Sequence, residues 1–283
     1  MMYLLQNIFI WIRKFIIRIL FKEYPNKLLK NSIIYEDKST QRINFISSSD
    51  NFWVSRNMFR KWKLYSEYKN INLNIYSNNQ VNVFMQENFK DDLIYEIYKK
   101  SILPVQKIDI FRICFIYLYG GIWLDLKSEI DLEKVIAQYK ASKSNGILIH
   151  EPRKIEVINF SEHQQFKTLE HVIHNGFFFL PKKSEFLKKI LFKIKKDYLY
   201  FQDIVFKYPK QGIMNLTGPH QFTRVYYELD KTKRPTLVSH DQVGWIYFSK
   251  YGEFISPFNI LKKHYSTLKE LKTIDSKKYF NLE

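Results

Sequence analysis

Residues 107–131 carry the sequence KIDIFRICFIYLYGGIWLDLKSEID, and this stretch decides the fold. Its first half predicts a helix, because apolar side chains recur there at intervals of three and four residues. The residues that form this apolar face are Ile108, Phe111, Phe115 and Leu118. Asp109 and Arg112 lie three residues apart on a neighbouring strip of the same helix, where they form either a polar site or an ordinary surface ion pair.

A turn and a buried strand follow the helix. Gly120-Gly121 predicts a sharp stop, because glycine adopts backbone conformations that other residues avoid. Residues 122–124, with the sequence IWL, suit a buried strand that ends at Asp125. A carboxylate at the carboxyl end of an α/β strand lies in the crevice where such folds bind ligands. Asp125 is therefore the first candidate site residue.

The order D-x-x-R, apolar helix, Y-G-G, apolar strand and aspartate resembles the core of glycosyltransferase family 32. Related capsular polysaccharide synthesis proteins and glucosylating-toxin catalytic domains share this core. The matching residues are Asp109, Arg112, Tyr119, Gly120, Gly121 and Asp125. The resemblance implies an α/β chain with a GT-A-like, Rossmann-type nucleotide-sugar fold and a mixed central sheet over residues 41–270. One position departs from the family, since Lys127 stands where the second aspartate of the D-x-D motif is expected.

The resemblance also implies roles for these residues. Asp125 hydrogen-bonds hydroxyls of the ribose and the donor sugar, Asp109 binds sugar hydroxyls, and Arg112 reaches a sugar oxygen or a phosphate. The predicted catalytic residues are Asp125, Lys127 and Arg112, and the predicted donor-binding residues are Asp109, Arg112, Asp125, Gly121, Asn175 and His264. Asn175 is equally well explained as a turn residue before Gly176.

Lys127 leaves the metal question open, because a protonated lysine repels a cation. Its ammonium group replaces the metal and neutralises the diphosphate directly, or Asp125 and His264 hold Mn²⁺ or Mg²⁺ while Lys127 turns away, with Glu129 as a further possible ligand. A third interpretation is that the chain has lost catalysis and only binds. His240 is the rival of His264 for the site histidine, and either one is also explained as an ordinary surface or core residue.

Residues 1–22 predict an amphipathic helix, in which Asn7, Lys14, Arg18 and Lys22 align on one strip and leave a wide apolar face. Basic residues at the centre of the stretch disfavour a membrane-spanning helix, and the absence of a small-residue cleavage site disfavours a signal peptide. The helix either lies on a membrane surface or packs against the domain.

The composition fits one large or two small domains with a real core. The 283 residues are 46% hydrophobic and carry a net charge of +17, which favours anionic partners such as a membrane surface or phosphorylated substrates. The lysines are scattered rather than gathered in a stripe beside aromatic residues, so a nucleic-acid interface is not favoured. The single cysteine, Cys114, cannot form an internal disulfide.

The remaining elements are predicted from periodicity and turn residues. Strands are expected around 43–46, 73–76, 148–149 and 177–180, and helices around 52–65, 83–89, 93–98, 187–194 and after the T-G-P sequence of 217–219. Residues 151–165 show no periodicity and predict a polar loop.

The resemblance, taken with these features, implies transfer of a hexose from a nucleotide sugar to a glycan or lipid-linked acceptor in surface polysaccharide synthesis. The family implies retention of the anomeric configuration, and the charge and the first helix suggest a peripheral position on the cytoplasmic face of a membrane. The alternatives are a toxin-like protein glycosyltransferase and a non-catalytic protein that binds sugars or membranes with a decayed transferase domain.

Overall fold

A computed structural model describes residues 21–24, 41–46, 52–55, 64–65, 71–125, 128–142, 145–152, 155–159, 165–247, 268 and 270–275. The described helices are α1 (Asn78–Phe89), α2 (Leu93–Lys100), α3 (Pro104–Tyr119), α4 (Leu132–Ala141), α5 (Glu185–Phe201), α6 (Pro209–Leu216), α7 (Pro219–Glu228) and α8 (His240–Val243). A 3₁₀ turn covers Lys231–Lys233.

The described strands include six that form the central sheet: β2 (Gln41–Ile46), β4 (Ile71–Tyr76), β5 (Gly121–Leu124), β7 (Ile147–Glu151), β10 (Val172–Leu180) and β12 (Thr236–Val238). Shorter pairs surround it: β1 (Phe21–Tyr24) with β3 (Phe52–Ser55), β8 (Ile155–Asn159) with β9 (Gln165–Leu169), β6 (Ser128–Glu129) with β13 (Ile246–Tyr247), and β11 (Val205–Phe206) with β14 (Leu271–Lys272).

The central sheet is mixed, as predicted. Its order is β12-β7-β10-β5-β2-β4. Strand β2 runs parallel to β4 and β5, and β12 runs parallel to β7, whereas β10 is antiparallel to both of its neighbours. The carboxyl ends of the five parallel strands and the amino end of β10 therefore meet at one edge of the sheet, which we call the site edge. This mixed α/β sheet is consistent with a GT-A-like fold.

Helices cover both faces of the sheet. Successive side chains of a strand point to opposite sides, so one strand contacts the helices on both faces. On β10, Phe178 packs against Phe222 of α7, with ring centroids 5.6 Å apart. The next residue, Phe179, stacks on Tyr139 of α4 on the other face. The larger of the two cores lies on the Phe178 side and contains side chains of α1, α2, α3, α5 and α7.

Helix α3 runs through the middle of this larger core. The helix was predicted correctly, but every side chain from Asp109 to Ile116 is buried, so it packs on all sides rather than on one apolar face. It ends at Gly120, whose φ of +69° and close approach to the backbone of Lys182 exclude a side chain. Gly121, with φ +105°, then begins β5, as the glycine pair predicted.

Three sequence predictions are corrected here. The helix expected over 52–65 does not begin at Phe52, because Phe52–Ser55 is strand β3, paired with β1; Leu64 and Tyr65 are helical. The polar loop expected over 151–165 contains β8, which forms an antiparallel hairpin with β9. Phe21 and Lys22, the end of the predicted first helix, belong to β1, and residues 1–20 lie outside the described residues.

Within the described part of the chain, no helix is long and apolar enough to cross a membrane.

Candidate functional site

The site edge brings Asp125 and Asn175 together, although 50 positions separate them in the sequence. Asp125 follows the last residue of β5, and its backbone N–H donates to the carbonyl of Gly176 on β10 at 2.8 Å. Asn175 is thus part of a strand, in a stretch where the register with β7 shifts, and not a turn residue. The interpretation of Asn175 as a simple turn before Gly176 is excluded.

Arg112 of α3 links the predicted residues into one cluster. Its guanidinium lies 3.3 Å from Asp109 and 3.2 Å from Asp125, and it donates to the backbone carbonyl of Asn175. The indole of Trp123 lies against it, 5.0 Å from ring centroid to guanidinium carbon. Only 5% of the Arg112 side chain is exposed, so the surface ion pair considered above is instead a buried one.

Both carboxylate oxygens of Asp109 are used within the protein. Oδ1 accepts from the side-chain amide of Asn175 at 3.0 Å, and Oδ2 accepts from the hydroxyl of Thr217 at 3.1 Å. Burial raises the pKa of Asp109 to about 7, against the lowering effect of the Arg112 charge and of these two hydrogen bonds, while the Asp125 charge adds to the increase. Asp109 is only 3% exposed, so the contact with sugar hydroxyls predicted for it would require the cluster to open.

Asp125 is the accessible member of the cluster, with 31% of its side chain exposed. Its Oδ1 accepts from the indole N–H of Trp123 at 3.1 Å and pairs with Arg112. Its Oδ2 faces the backbone of Gly176, where an added Cβ would lie only 3.0 Å away. Trp123, Arg112 and Gly176 therefore hold the carboxylate in place at the site edge, where it is partly exposed.

A group of histidines lies at the same edge. His150 lies near the carboxyl end of β7. His171 and His174 flank the start of β10, and His240 follows β12. The rings of His150 and His171 are 4.6 Å apart, and those of His174 and His240 are 5.3 Å apart. Burial lowers the pKa of His150, as do the charges of His171 and His240.

Of the two rival histidines, the structure describes His240 and places it beside the cluster. His240 lies 4.7 Å from the ring of Trp245, and His174, which it also approaches, directly precedes Asn175. The Nε2 atom of His240 is buried and has no hydrogen-bond partner in the described region. His264 and Lys127 lie outside the described residues.

Gly121 is not part of the cluster. It pairs with Leu180 at the amino end of β5, whereas Asp125 lies four residues farther on, about 13 Å away along an extended strand. Its backbone conformation serves the turn after α3, and its role in donor binding stays a prediction.

The described side chains do not form a metal centre by themselves. No group of three or more histidine, cysteine or acidic side chains in the described ranges is arranged to hold an ion. Of the carboxylates in the cluster, Asp109 has both oxygens occupied, and Asp125 offers Oδ2 alone. A complete set of ligands for Mn²⁺ or Mg²⁺ would need groups beyond these two side chains.

Two residues that contribute to the site, Thr217 and Trp123, were only weakly indicated by the sequence. Thr217 stands in the T-G-P sequence, but its hydrogen bond to Asp109 spans 108 positions and could not be predicted. Trp123 and Asp125 are two residues apart at the end of one strand, a spacing that places both side chains on the same face. That spacing could have indicated the contact between the indole and the carboxylate.

A comparison with known protein families finds a match over a little under half of the chain. Residues 13–142 match the family described as a glycosyltransferase sugar-binding region containing a DXD motif. The matched segment includes Asp109, Arg112 and Asp125. No curated protein matches the chain significantly.

Solved structures similar to this chain include two toxin glycosyltransferase domains. "PaToxG Glycosyltransferase" is 16% identical with a TM-score of 0.39, over 67% of this chain and 69% of that chain. The UDP-bound glycosyltransferase domain from the YGT toxin is 14% identical with a TM-score of 0.34, over 58% of this chain and 52% of that chain. Likenesses this distant decide neither the donor nor the acceptor. The family match confirms the predicted resemblance at the level of DXD-type glycosyltransferases, since residues 13–142 match the sugar-binding region of that family.

Proposed function

We propose that the chain transfers a hexose from a nucleotide-sugar donor to a glycan or lipid-linked acceptor in surface polysaccharide synthesis, with retention of the anomeric configuration. The observation that carries this proposal is the cluster of Asp109, Arg112 and Asp125, which lies within the matched sugar-binding region and at the ligand-binding edge of an α/β sheet. We place the protein peripherally on the cytoplasmic face of a membrane, with residues 1–20 as the associating segment.

Asp125 contacts the donor sugar in this proposal. Its Oδ2 accepts hydrogen bonds from hydroxyl groups, since Oδ1 is already bound by Trp123 and Arg112. Asp109 and Arg112 act as positioning residues, because their side chains are only 4% and 5% exposed and each is bound within the cluster. This assignment modifies the roles that the resemblance implies, in which Asp109 and Arg112 also touch the donor.

A cleft beside the cluster suits the nucleotide. It is lined by the first turns of α1 and α3, including Asn78, Lys107 and Ile108, and the last of these directly precedes Asp109. Its volume is about 190 Å³, which is below the range of sites that enclose a whole small-molecule ligand, so it would hold only part of the nucleotide. The amino ends of both helices lie at the site edge, so the diphosphate would extend from this cleft towards Asp125.

The chemistry requires positive charge at the departing diphosphate. As the bond from the anomeric carbon to the phosphate oxygen breaks, the acceptor oxygen bonds to that carbon, and the acceptor proton leaves with the diphosphate. Negative charge grows on the leaving group and must be stabilised. Because Arg112 is already held between two carboxylates, we assign this task to Lys127, two residues after Asp125, or to a cation held with the help of Asp125.

The test is hydrolysis and binding of a panel of nucleotide sugars, each with Mn²⁺, Mg²⁺ or EDTA, by the full chain and by Lys127→Ala. Turnover that survives EDTA but is lost in Lys127→Ala supports direct stabilisation by the ammonium group. Turnover that EDTA abolishes supports a cation. If no donor is bound or cleaved under any condition, the enzymatic proposal is wrong and a non-catalytic binding protein becomes the better account.

A further inference from the structure

The outward face of α5 carries exposed hydrophobic side chains that do not pack into the core. The inner face of the helix is buried in the main core, through Phe186, Leu187, Ile190, Leu191, Ile194, Tyr198 and Phe201. On the outer face, Phe192 is 57% exposed, Leu199 73% and Tyr200 45%. Lys188 and Lys196 alternate with them along the same ridge. We call this outer face, from Lys188 to Tyr200, the α5 ridge.

The exposed hydrophobic surface continues past the end of the helix. Ile204, Val205 and Tyr208 are 39%, 57% and 43% exposed. Of the ten exposed large hydrophobic side chains in the described part of the chain, six lie between Phe192 and Tyr208. Single exposed apolar residues are ordinary, but a concentration in one segment marks an interaction surface.

The charge of this surface is basic. Six lysines belong to it: Lys188, Lys189, Lys195, Lys196, Lys207 and Lys210. Two of these lysines are ion-paired, Lys188 with Glu185 and Lys195 with Asp92, and Asp203 is paired with Lys272, so lysines still outnumber carboxylates on this surface. Lysines beside Phe, Leu and Tyr on one helix face are typical of helices that lie in the interface of an anionic bilayer.

The topology places one end of this surface near the site. Leu180, at the end of β10, pairs with Gly121 at the amino end of β5, so α5 begins at the edge opposite Asp125. The helix has 17 residues and extends about 26 Å back across the sheet. Gln202, just past its end, bridges Ile274, which also bridges Ser101 just before α3. The apolar segment from Leu199 to Tyr208 therefore lies on the side of the molecule where the site edge lies.

We propose that the α5 ridge and the segment from Ile204 to Tyr208 dock on an anionic lipid bilayer, so that the site edge lies at the border of the docked surface. This surface is separate from residues 1–22 and does not depend on the proposed transferase activity. The lysines contact lipid headgroups, while Phe192, Leu199 and Val205 enter the boundary with the acyl chains. An acceptor held in the membrane would then lie close to Asp125.

The chain allows a site-specific test. Its single cysteine, Cys114, is fully buried, and burial raises the pKa of its thiol, so it is a poor target for thiol reagents. The variant Leu199→Cys in the full chain can therefore be labelled with an environment-sensitive fluorophore at one place. Leu64→Cys is the matched control, because Leu64 is 64% exposed and lies outside the ridge. We expect a blue shift of the Leu199→Cys label with phosphatidylglycerol-containing vesicles, and no shift with pure phosphatidylcholine or at position 64.

A second experiment measures the energetic contribution. The double variant F192S/L199S should partition into anionic vesicles about tenfold more weakly than the unmodified chain, because it loses apolar surface that the bilayer buries. The control L64S/V83S should partition normally, and hydrolysis of nucleotide sugars in solution should be unchanged in both. Failure of this proposal is thus distinguishable from failure of the proposed function.

Two results would overturn the proposal. The first is an unshifted Leu199→Cys label together with normal vesicle partition of F192S/L199S, which would assign membrane binding elsewhere. The second is a loss of dimers in light scattering by F192S/L199S with unchanged vesicle partition, which would make the ridge an interface between two copies of the chain.

Discussion

Two arginine–aspartate ion pairs in this molecule are similarly buried but have different surroundings. Arg224 of α7 pairs with Asp197 of α5 at 2.6 Å, and the two side chains are 4% and 0% exposed. Arg112 pairs with Asp109 at 3.3 Å, with 5% and 4% exposed. The first pair joins two helices within the core. The second is linked to Asp125, which is 31% exposed at the site edge.

This comparison shows that the burial of an ion pair does not by itself mark a functional site. A buried pair is costly to desolvate, and removing one partner leaves an uncompensated charge whatever the role of the pair. What distinguishes the Arg112 pair is its connection to an accessible carboxylate whose Oδ2 has room beside Gly176. The Arg224 pair should therefore matter for stability, and the Arg112 cluster for donor binding.

The largest expected effect concerns the structural pair. Asp197→Ala should lower the free energy of unfolding by about 3–5 kcal/mol, because Arg224 then remains buried without its carboxylate. Urea denaturation followed by circular dichroism measures this change. Turnover per folded molecule should stay within about twofold of the original, since the ion pair of Arg224 is with Asp197 and not with Asp125. A loss of turnover with unchanged stability would remove the distinction between the two pairs.

The next effect is catalytic. Asp125→Ala should reduce turnover of the donor by about 100- to 1,000-fold, the loss seen when one preorganised polar group is removed from a site. The melting temperature should change little, because Asp125 is partly exposed and Arg112 keeps its contacts with Asp109 and the carbonyl of Asn175. Steady-state kinetics and thermal denaturation on the same samples measure both quantities. Equal turnover in the variant would show that sugar binding does not use this carboxylate.

A smaller effect is expected at Gly176. In Gly176→Ala, the new methyl group lies 3.0 Å from Oδ2 of Asp125 and should displace the carboxylate, lowering kcat/KM by about tenfold. Gly212→Ala is the matched control, because its Cβ would lie equally close to side-chain atoms of Phe206 and Thr273, away from the site. The control should lose stability and keep its kcat/KM. Similar kinetics in both variants would argue against a defined position for Oδ2.

The smallest effect concerns pH. Because Asp109 accepts hydrogen bonds from Asn175 and Thr217 as a carboxylate, donor binding should strengthen as pH rises through its pKa of about 7. Thr217→Val removes a hydrogen bond that lowers this pKa, so the midpoint should move to higher pH by about half a unit to one unit. Binding titrations across pH measure the midpoint.

Histidines at the site edge provide the control for the pH experiment. His174→Gln and His240→Gln each remove one imidazole of this group without changing Asp109. If Asp109 sets the midpoint, these variants leave it in place. A midpoint that disappears in either variant would assign the pH dependence to the histidine group instead.

The sequence predicted the part of the site that is local in the chain. Helix α3, the glycine turn, strand β5 and the candidate residues Asp109, Arg112 and Asp125 all lie within 25 positions, where periodicity and turn residues are informative. The mixed sheet was predicted from the resemblance. The T-G-P sequence was noted, but its contact with Asp109 was not.

The rest depends on contacts between distant segments. Asn175 and Thr217 reach Asp109 across 66 and 108 positions. The histidine group forms only because β7, β10 and β12 end at one edge of the sheet. Local patterns also failed for the short strand β3, whose residues Phe52–Ser55 suit a helix or a strand and are decided by pairing with β1.

The most direct test of the central claim is calorimetric binding of the best nucleotide sugar from the hydrolysis panel to three proteins: the full chain, Asp125→Ala and Asp197→Ala. We predict that Asp125→Ala loses binding by at least about tenfold while Asp197→Ala, at a temperature where it is folded, binds as the original chain does. Normal binding by Asp125→Ala, or an equal loss in both variants, would contradict the assignment of the donor site to the Asp109, Arg112 and Asp125 cluster.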